Sequence, residues 1–442
     1  MRGSDKSVEP TREHREFFPA PGIQRVAMLS VHTSPLAQPG IGSAGGMNVY
    51  IRELSRHLAQ RGVTVDIYTR RDHPAVPSLV EPFPGVRVYA LDAGPATALP
   101  KEQLFCYLPT FVSELAYLVD RQQLSYDIVH AHYWLSGWAA HLLQRYWDVP
   151  FVHMFHTLAV LKNTVQASPP ESVLRLQVEQ GLARVADAII AANPDERETI
   201  VNELGAPPSR LCTVPPGVDA EHFRPLDRAA ARSRLGIPLD RPVALFVGRI
   251  DPVKGIDVLL RAWQRITREL APRQPLLLFL GGGFDSSAGF RPDAALSRVM
   301  TDARELGIAE TVRFLGSRPQ GELPLFYNAA DVCLIPSRYE SFGLVAVEAM
   351  ACGTPVVASR VGGLRFSVEH EVSGLHVPPN DPAALATATI RLLTDHQFRT
   401  RLQVGARQAA LRFSWHRVTT VVARLYEQVA RRGILQPCGT TG

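Results

Sequence analysis

From Ile23 onward, short runs of β-branched and other apolar residues alternate with stretches whose apolar positions recur every three or four residues. The first pattern is that of a strand buried on both faces and the second that of an amphipathic helix, so their alternation predicts parallel βα units. Strands are predicted at 24–31, 63–68, 127–131, 150–155, 188–192 and 211–214. Between the first two, Met47, Tyr50, Ile51, Leu54 and Leu58 share one helical face, and Gly62 supplies the C-terminal cap. After Pro215-Pro216-Gly217 a Pro- and Arg-rich stretch interrupts the pattern. It restarts at 243–247 and gives further strands at 276–280, 312–315, 332–335 and 355–358. The expected fold class is α/β, with two doubly wound parallel-sheet, Rossmann-like domains facing across a cleft. Ligands of open α/β sheets bind at the carboxyl ends of the strands, which makes that cleft the expected site.

The same pattern sets the expected boundaries. Residues 1–22 read as a flexible leader, 23–217 as the first domain, 218–240 as a linker region and 241–412 as the second domain. Residues 413–432 read as a C-terminal helix and 433–442 as a tail. In that helix Ser414 is the expected N-cap, and Trp415, Val418, Val422, Leu425 and Val429 form a stripe whose partner surface the periodicity does not identify.

Composition narrows the function classes. The 442 residues are 46% hydrophobic and 20% charged, proportions that support large cores. The net charge of +5 comes from 47 Lys and Arg against 42 Asp and Glu, with no run of about five or more like charges, so no nucleic-acid arm is expected, while the Arg excess suits an anionic small substrate. Five cysteines at 106, 212, 333, 352 and 438 show no paired spacing, which indicates neither a disulfide framework nor a zinc knuckle and points to a reducing, cytoplasmic compartment. No apolar run reaches the length of about 18 residues that a membrane span needs, and no secretory h-region opens the chain.

Four groups of residues carry candidate chemistry. Gly40 to Gly45 satisfies G-x-G-x-x-G, with Asp66 expected at a strand end about twenty residues on, which invites a dinucleotide reading. The loop starts too far after the first strand for that fingerprint; a glycine cluster at a helix N-terminus instead brings N–H groups close to an anion or a sugar ring. Glu340 and Glu348 flank Ser341-Phe342-Gly343-Leu344, one acid in a loop and the other inside an apolar helix, so that each can grip hydroxyls of one ligand while the helix start near Gly343 faces phosphate. Arg249 and Lys254, after a strand and before a helix, suit a diphosphate, Arg as a fork and Lys as a point charge. His130, His132, His153 and His156 cluster at strand ends without accompanying Cys or a patterned carboxylate, which favours cleft-lining or core histidines over a metal site.

Together, the acidic pair, the Arg249/Lys254 pair, the glycine loop and Gly362-Gly363 resemble the retaining glycosyltransferases of family 4, with the GT-B fold, over about residues 23–432. The segments from His32, Gly45, His132 and His156 resemble the inositol-phosphate N-acetylglucosaminyltransferases of mycothiol synthesis, with sucrose-phosphate synthases as relatives. That resemblance implies retaining transfer from a nucleotide diphosphate sugar, UDP-GlcNAc or UDP-glucose, to a small phosphorylated acceptor such as an inositol phosphate or a hexose phosphate. It implies catalytic roles for His156, Arg249, Lys254 and Glu340, and donor contacts from Gly45, Gly46, Phe342, Gly343, Leu344 and Glu348. Lys101, Tyr133, Thr157 and Arg175 match acceptor-phosphate positions, and His32 and Asn48 match other acceptor contacts. No cofactor is required, Mg²⁺ being compatible but not essential, and no residue is implied as a metal ligand. Ser43 departs from an acidic residue common in the family, and Tyr327-Asn328 stands where Tyr-Arg is usual. The oligomeric state stays open, a homodimer included. An NAD-linked enzyme using Gly40 to Gly45, or a nucleotide-sugar binding module without turnover, are the readings of other classes.

Overall fold

The computed structural model describes residues 22–39, 44–165, 170–285, 291–433 and 435. Nearly all of the expected leader and tail, and the Gly40 to Ser43 part of the glycine loop, lie outside the described residues. Eight strands form the first sheet: β1 (Arg25–Leu29), β2 (Thr64–Arg70), β3 (Leu79–Phe83), β4 (Val86–Leu91), β5 (Ile128–His132), β6 (Phe151–Met154), β7 (Ala188–Ala191) and β8 (Leu211–Thr213), in the order β3-β4-β2-β1-β5-β6-β7-β8. All neighbours are parallel except β3 and β4. This antiparallel hairpin is missing from the expected parallel sheet. Pro82 interrupts the apolar run of β3, and proline is tolerated there because the strand is at the sheet edge.

The second sheet holds β9 (Val243–Val247) and β10 (Leu276–Leu280). Then, after a two-stranded ribbon of β11 (Phe284–Asp285) and β12 (Arg291–Pro292), it takes β13 (Val312–Phe314), β14 (Val332–Ile335), β15 (Val356–Ser359) and β16 (Gly374–Val377). Its order is β13-β10-β9-β14-β15-β16, all parallel. Both sheets are wound outward from a central strand, β1 and β9, which places the switch points of the two halves at the cleft.

The stretch read as a linker is built into the second domain. Its helix Arg228–Arg234 buries Arg232, whose guanidinium donates to the Ala329, Leu239 and Arg241 carbonyls and to Asp331. Apolar spacing cannot reveal this, because the anchor is a fully buried cation satisfied by carbonyls. The C-terminal helix, Trp415–Ala430 with Ser414 as its cap, returns to the first domain. Trp415 packs edge-on against Tyr50 at 5.5 Å, and Tyr426 shares a 2.6 Å hydrogen bond with His130 on β5. The unidentified partner of the apolar stripe is therefore the first domain. Cys212 on β8 is disulfide-bonded, contrary to the unpaired reading of the cysteines. Pairing depends on proximity in space, about which sequence spacing is silent.

Candidate active site

A cavity of about 340 Å³ opens between the C-terminal ends of the two sheets. Met154, Val247 and Leu280, all at strand ends, form part of its wall. Of the residues singled out from sequence, His32, Gly45, Gly46, Lys101, Tyr133, His156, Thr157, Arg249, Lys254, Glu340, Phe342, Gly343, Leu344 and Glu348 all reach that wall. Asn48 and Arg175 do not line it. Asn48 accepts from the Gly45 N–H at 2.8 Å and donates to Thr33 Oγ1 and the Ser34 carbonyl, so it pins the start of helix Gly46–Ala59 to the loop after β1. Arg175, 1% exposed, sits behind Thr157, donating to its carbonyl at 2.8 Å and its hydroxyl at 3.2 Å while pairing with Glu179 at 2.7 Å.

On the second-domain side, Lys254 ends a 3₁₀ turn capped by Asp251, and its ammonium meets Glu340 at 2.5 Å. Arg249 follows β9, more than a third exposed, 3.7 Å from Asp251. Gly343 caps helix Leu344–Ala351 with a φ of +92°, and a Cβ there would lie 2.5 Å from Leu364. The Gly362-Gly363 turn packs against the same loop. Cβ atoms at these positions would fall 2.3 Å from the Glu340 and Ser341 carbonyl oxygens, respectively, so the turn has to be glycine for the acidic loop to pack. Glu348, buried one turn into the helix, accepts from Tyr327 Oη at 2.9 Å and from Gln320 Nε2 at 3.1 Å. Burial pushes its carboxyl up to about 7, against the pull of those donors.

The first-domain side is cationic. Lys101 Nζ and the Arg175 guanidinium carbon lie 5.0 and 4.8 Å from the centre of the Tyr133 ring. Lys162, which no spacing in the sequence marked, joins Lys101 as a second first-domain cation on the wall and pairs with Glu171. Burial, helped by Arg175, Arg249 and Lys162, lowers the Lys101 ammonium to about 8. Tyr133 and His156 hold left-handed backbones, φ +75° and +61°, strain that recurs at functional sites.

The histidines form a buried row. His156 Nε2 lies 3.0 Å from His132 Nδ1, and the His132 ring is 4.0 Å from that of His130. Burial holds His156 down to about 3, so its imidazole is neutral near pH 7. Among the described residues, no group of three or more His, Cys, Asp or Glu is arranged to hold a metal ion. Asp66 is no ribose acceptor. It is the third residue of β2 rather than at the strand end, fully buried, and bonded by Arg25, Arg87 and Tyr126.

The first domain, residues 45–217, matches the family model "Glycosyl transferase 4-like domain", and residues 227–409 match "Glycosyl transferases group 1". The chain is 45% identical over 409 residues to D-inositol 3-phosphate glycosyltransferase 2 of Catenulispora acidiphila, covering 92% of this chain and 95% of that one. It belongs to the group 1 glycosyl transferases, and it is a glycosyltransferase. The D-inositol 3-phosphate glycosyltransferase of Thermobifida fusca is 44% identical, over 98% of this chain and 99% of its own. Among solved structures, sucrose-phosphate synthase of Thermosynechococcus elongatus superposes with a TM-score of 0.85 at 37% identity, covering 93% of this glycosyltransferase and all of that chain. WaaG, a lipopolysaccharide-biosynthesis glycosyltransferase 16% identical with a TM-score of 0.68 over 91% of this chain and 99% of its own, shares the two-domain GT-B fold. No helix among the described residues is long and apolar enough to cross a membrane.

Proposed function

We propose that the enzyme transfers a sugar, with retention at the anomeric carbon, from a UDP-linked donor, UDP-GlcNAc or UDP-glucose, to a small phosphorylated acceptor of the inositol phosphate kind. The observation that carries this reading is one cavity with two cationic poles: Lys101 and Lys162 on the first domain, Arg249 and Lys254 on the second. Two anions, a phosphate and a diphosphate, suit such a cavity, and the names of the 43–45% identical relatives favour inositol phosphate as the acceptor.

In the transition state, positive charge develops on the sugar ring and negative charge on the departing diphosphate. Arg249, Lys254 and the N–H groups at the start of helix Leu344–Ala351 stabilise the leaving group. Glu348 accepts hydrogen bonds from the ribose hydroxyls and Glu340, tied to Lys254, those of the donor sugar. His156 faces the reacting carbon as a neutral imidazole. The leaving phosphate oxygen takes the acceptor proton, so no protein base and no metal ion is needed.

A hexose phosphate acceptor is the second reading, favoured by the likeness to sucrose-phosphate synthase. The NAD-linked alternative loses its ribose-binding acid, because the lone pairs of Asp66 are occupied. Nucleoside diphosphate release, measured over a grid of donors against inositol and hexose phosphates and their unphosphorylated forms, tests the proposal. Turnover of UDP-sugars with phosphorylated acceptors is expected. Equal use of both acceptor forms refutes the phosphate pocket, and release with no acceptor dependence refutes transfer to a small acceptor.

A further inference from the structure

The acid proposed to grip the donor ribose does not stand alone. Both Glu348 oxygens already accept one hydrogen bond, Oε2 from Tyr327 and Oε1 from Gln320. A carboxylate offers about four acceptor positions, so about two remain, enough for the two neighbouring hydroxyls of a ribose. The flanking Val347, Ala349 and Met350 are buried, which leaves the orientation of the carboxylate to these two donors.

Gln320 is itself oriented from the other domain. Its Oε1 accepts from Arg52 Nη2 on helix Gly46–Ala59. A guanidinium can only donate and a carboxylate can only accept, so an amide between them has one favourable orientation: oxygen toward Arg52, nitrogen toward Glu348. Arg52 is in turn held by Glu53 at 3.2 Å. With the Arg52 contact broken, the amide is free to turn its oxygen toward Glu348, an arrangement that repels.

We propose that Gln320 and Arg52 are positioning residues for Glu348, and that they complete the ribose grip only when the two domains meet. This rests on the reading of Glu348 as the ribose acceptor. Domain approach and donor recognition are then coupled through a single amide. The charged and titratable groups facing Glu348 are Arg52 and Glu53 from the first domain and Tyr327, Cys333 and Cys352 from the second.

The test is calorimetric binding of UDP and 2′-deoxy-UDP to the wild type and to Arg52→Ala, Gln320→Ala, the double variant, Arg52→Lys and Glu348→Ala, each checked for an unchanged melting temperature. The wild type is expected to prefer UDP. Arg52→Ala and Gln320→Ala should each narrow that preference by about three- to tenfold, the scale of one hydrogen bond. The double variant should narrow it no further than the larger single change, and Arg52→Lys, still a pure donor, should restore part of it. An unchanged preference in Arg52→Ala and Gln320→Ala, with collapse in Glu348→Ala, overturns the inference alone. Additive losses in the double variant overturn the coupling. A preference that survives Glu348→Ala overturns the ribose reading itself.

Discussion

The two cations of the second domain differ in their surroundings, and the difference sets what each variant should do. Lys254 is salt-bridged to Glu340, whereas Arg249 is more exposed and only loosely near Asp251. Both sit at strand and helix ends rather than in a core, so Arg249→Ala and Lys254→Ala should fold normally yet lower kcat/KM by about a hundredfold or more, as expected on losing one preorganised charge at a transition state. Steady-state kinetics alongside thermal melts check this; wild-type turnover in either variant removes the diphosphate assignment. On the acceptor side Lys101 titrates near 8 because burial and neighbouring cations disfavour its ammonium. A lowered lysine is charged below that value and neutral above it, so its hold on an acceptor phosphate is lost as pH rises through about 8. The KM for the phosphorylated acceptor should climb over that range in the wild type, and Lys101→Ala should show a higher KM with that rise removed.

Helix and turn packing explain why the acidic motif needs partners distant in sequence. The Gly363 N–H donates to the Glu340 carbonyl at 2.8 Å, and a Cβ at Gly363 would meet the Phe342 Cα at 2.3 Å. Because the obstacle is backbone, Gly363→Ala cannot be absorbed by a side-chain swing; it should destabilise by about 1–3 kcal/mol, the usual cost of overpacking, and displace Glu340. The urea midpoint and UDP affinity should both fall in this variant, while Gly236→Ala, with open space around it but a φ of +61° that strains any side chain, should cost stability and leave UDP affinity unchanged. The C-terminal helix shows the same dependence. Gly217 allows Trp415 to close over the domain crossing, since a Cβ there would lie 2.6 Å from the indole.

Across the whole molecule the domains are joined at the cavity by a few polar contacts. Ser341 Oγ donates to the His156 carbonyl at 2.5 Å, Asn193 Nδ2 donates to the Ser341 carbonyl at 2.6 Å, and Arg365 pairs with Asp195 at 2.7 Å. Ser341 thus ties the strained His156 backbone to the loop that carries Glu340. Ser341→Ala should raise KM for donor and acceptor several-fold, the scale of one net hydrogen bond, with kcat changed less. If the protein's own cations neutralise the leaving group, turnover should persist in excess chelator. Complete loss with EDTA, restored by Mg²⁺ or Mn²⁺, would sink the metal-free mechanism.

Most strands of the two parallel sheets were legible in the sequence, because buried parallel strands leave unbroken apolar runs and their helices leave a period of three to four. β4, broken by Arg87, and β16, four residues that include Gly374 and His376, were not. The paired acids, the Arg249/Lys254 pair and the glycine turn were legible as well, since each depends on local spacing along one loop or helix. The edge strand β3 was hidden by Pro82, and the helix at 228–234 by an anchor of charge rather than apolar surface. What only the tertiary structure decided is which distant groups meet. It placed Tyr327 and Gln320 on Glu348, Arg52 on Gln320, Lys162 beside the acceptor-side cations, Asp66 inside a buried ion cluster, and the C-terminal helix on the first domain. Those pairings join residues dozens to hundreds of positions apart, and periodicity, which reports only which face of an element is buried, carries no record of the partner it is buried against.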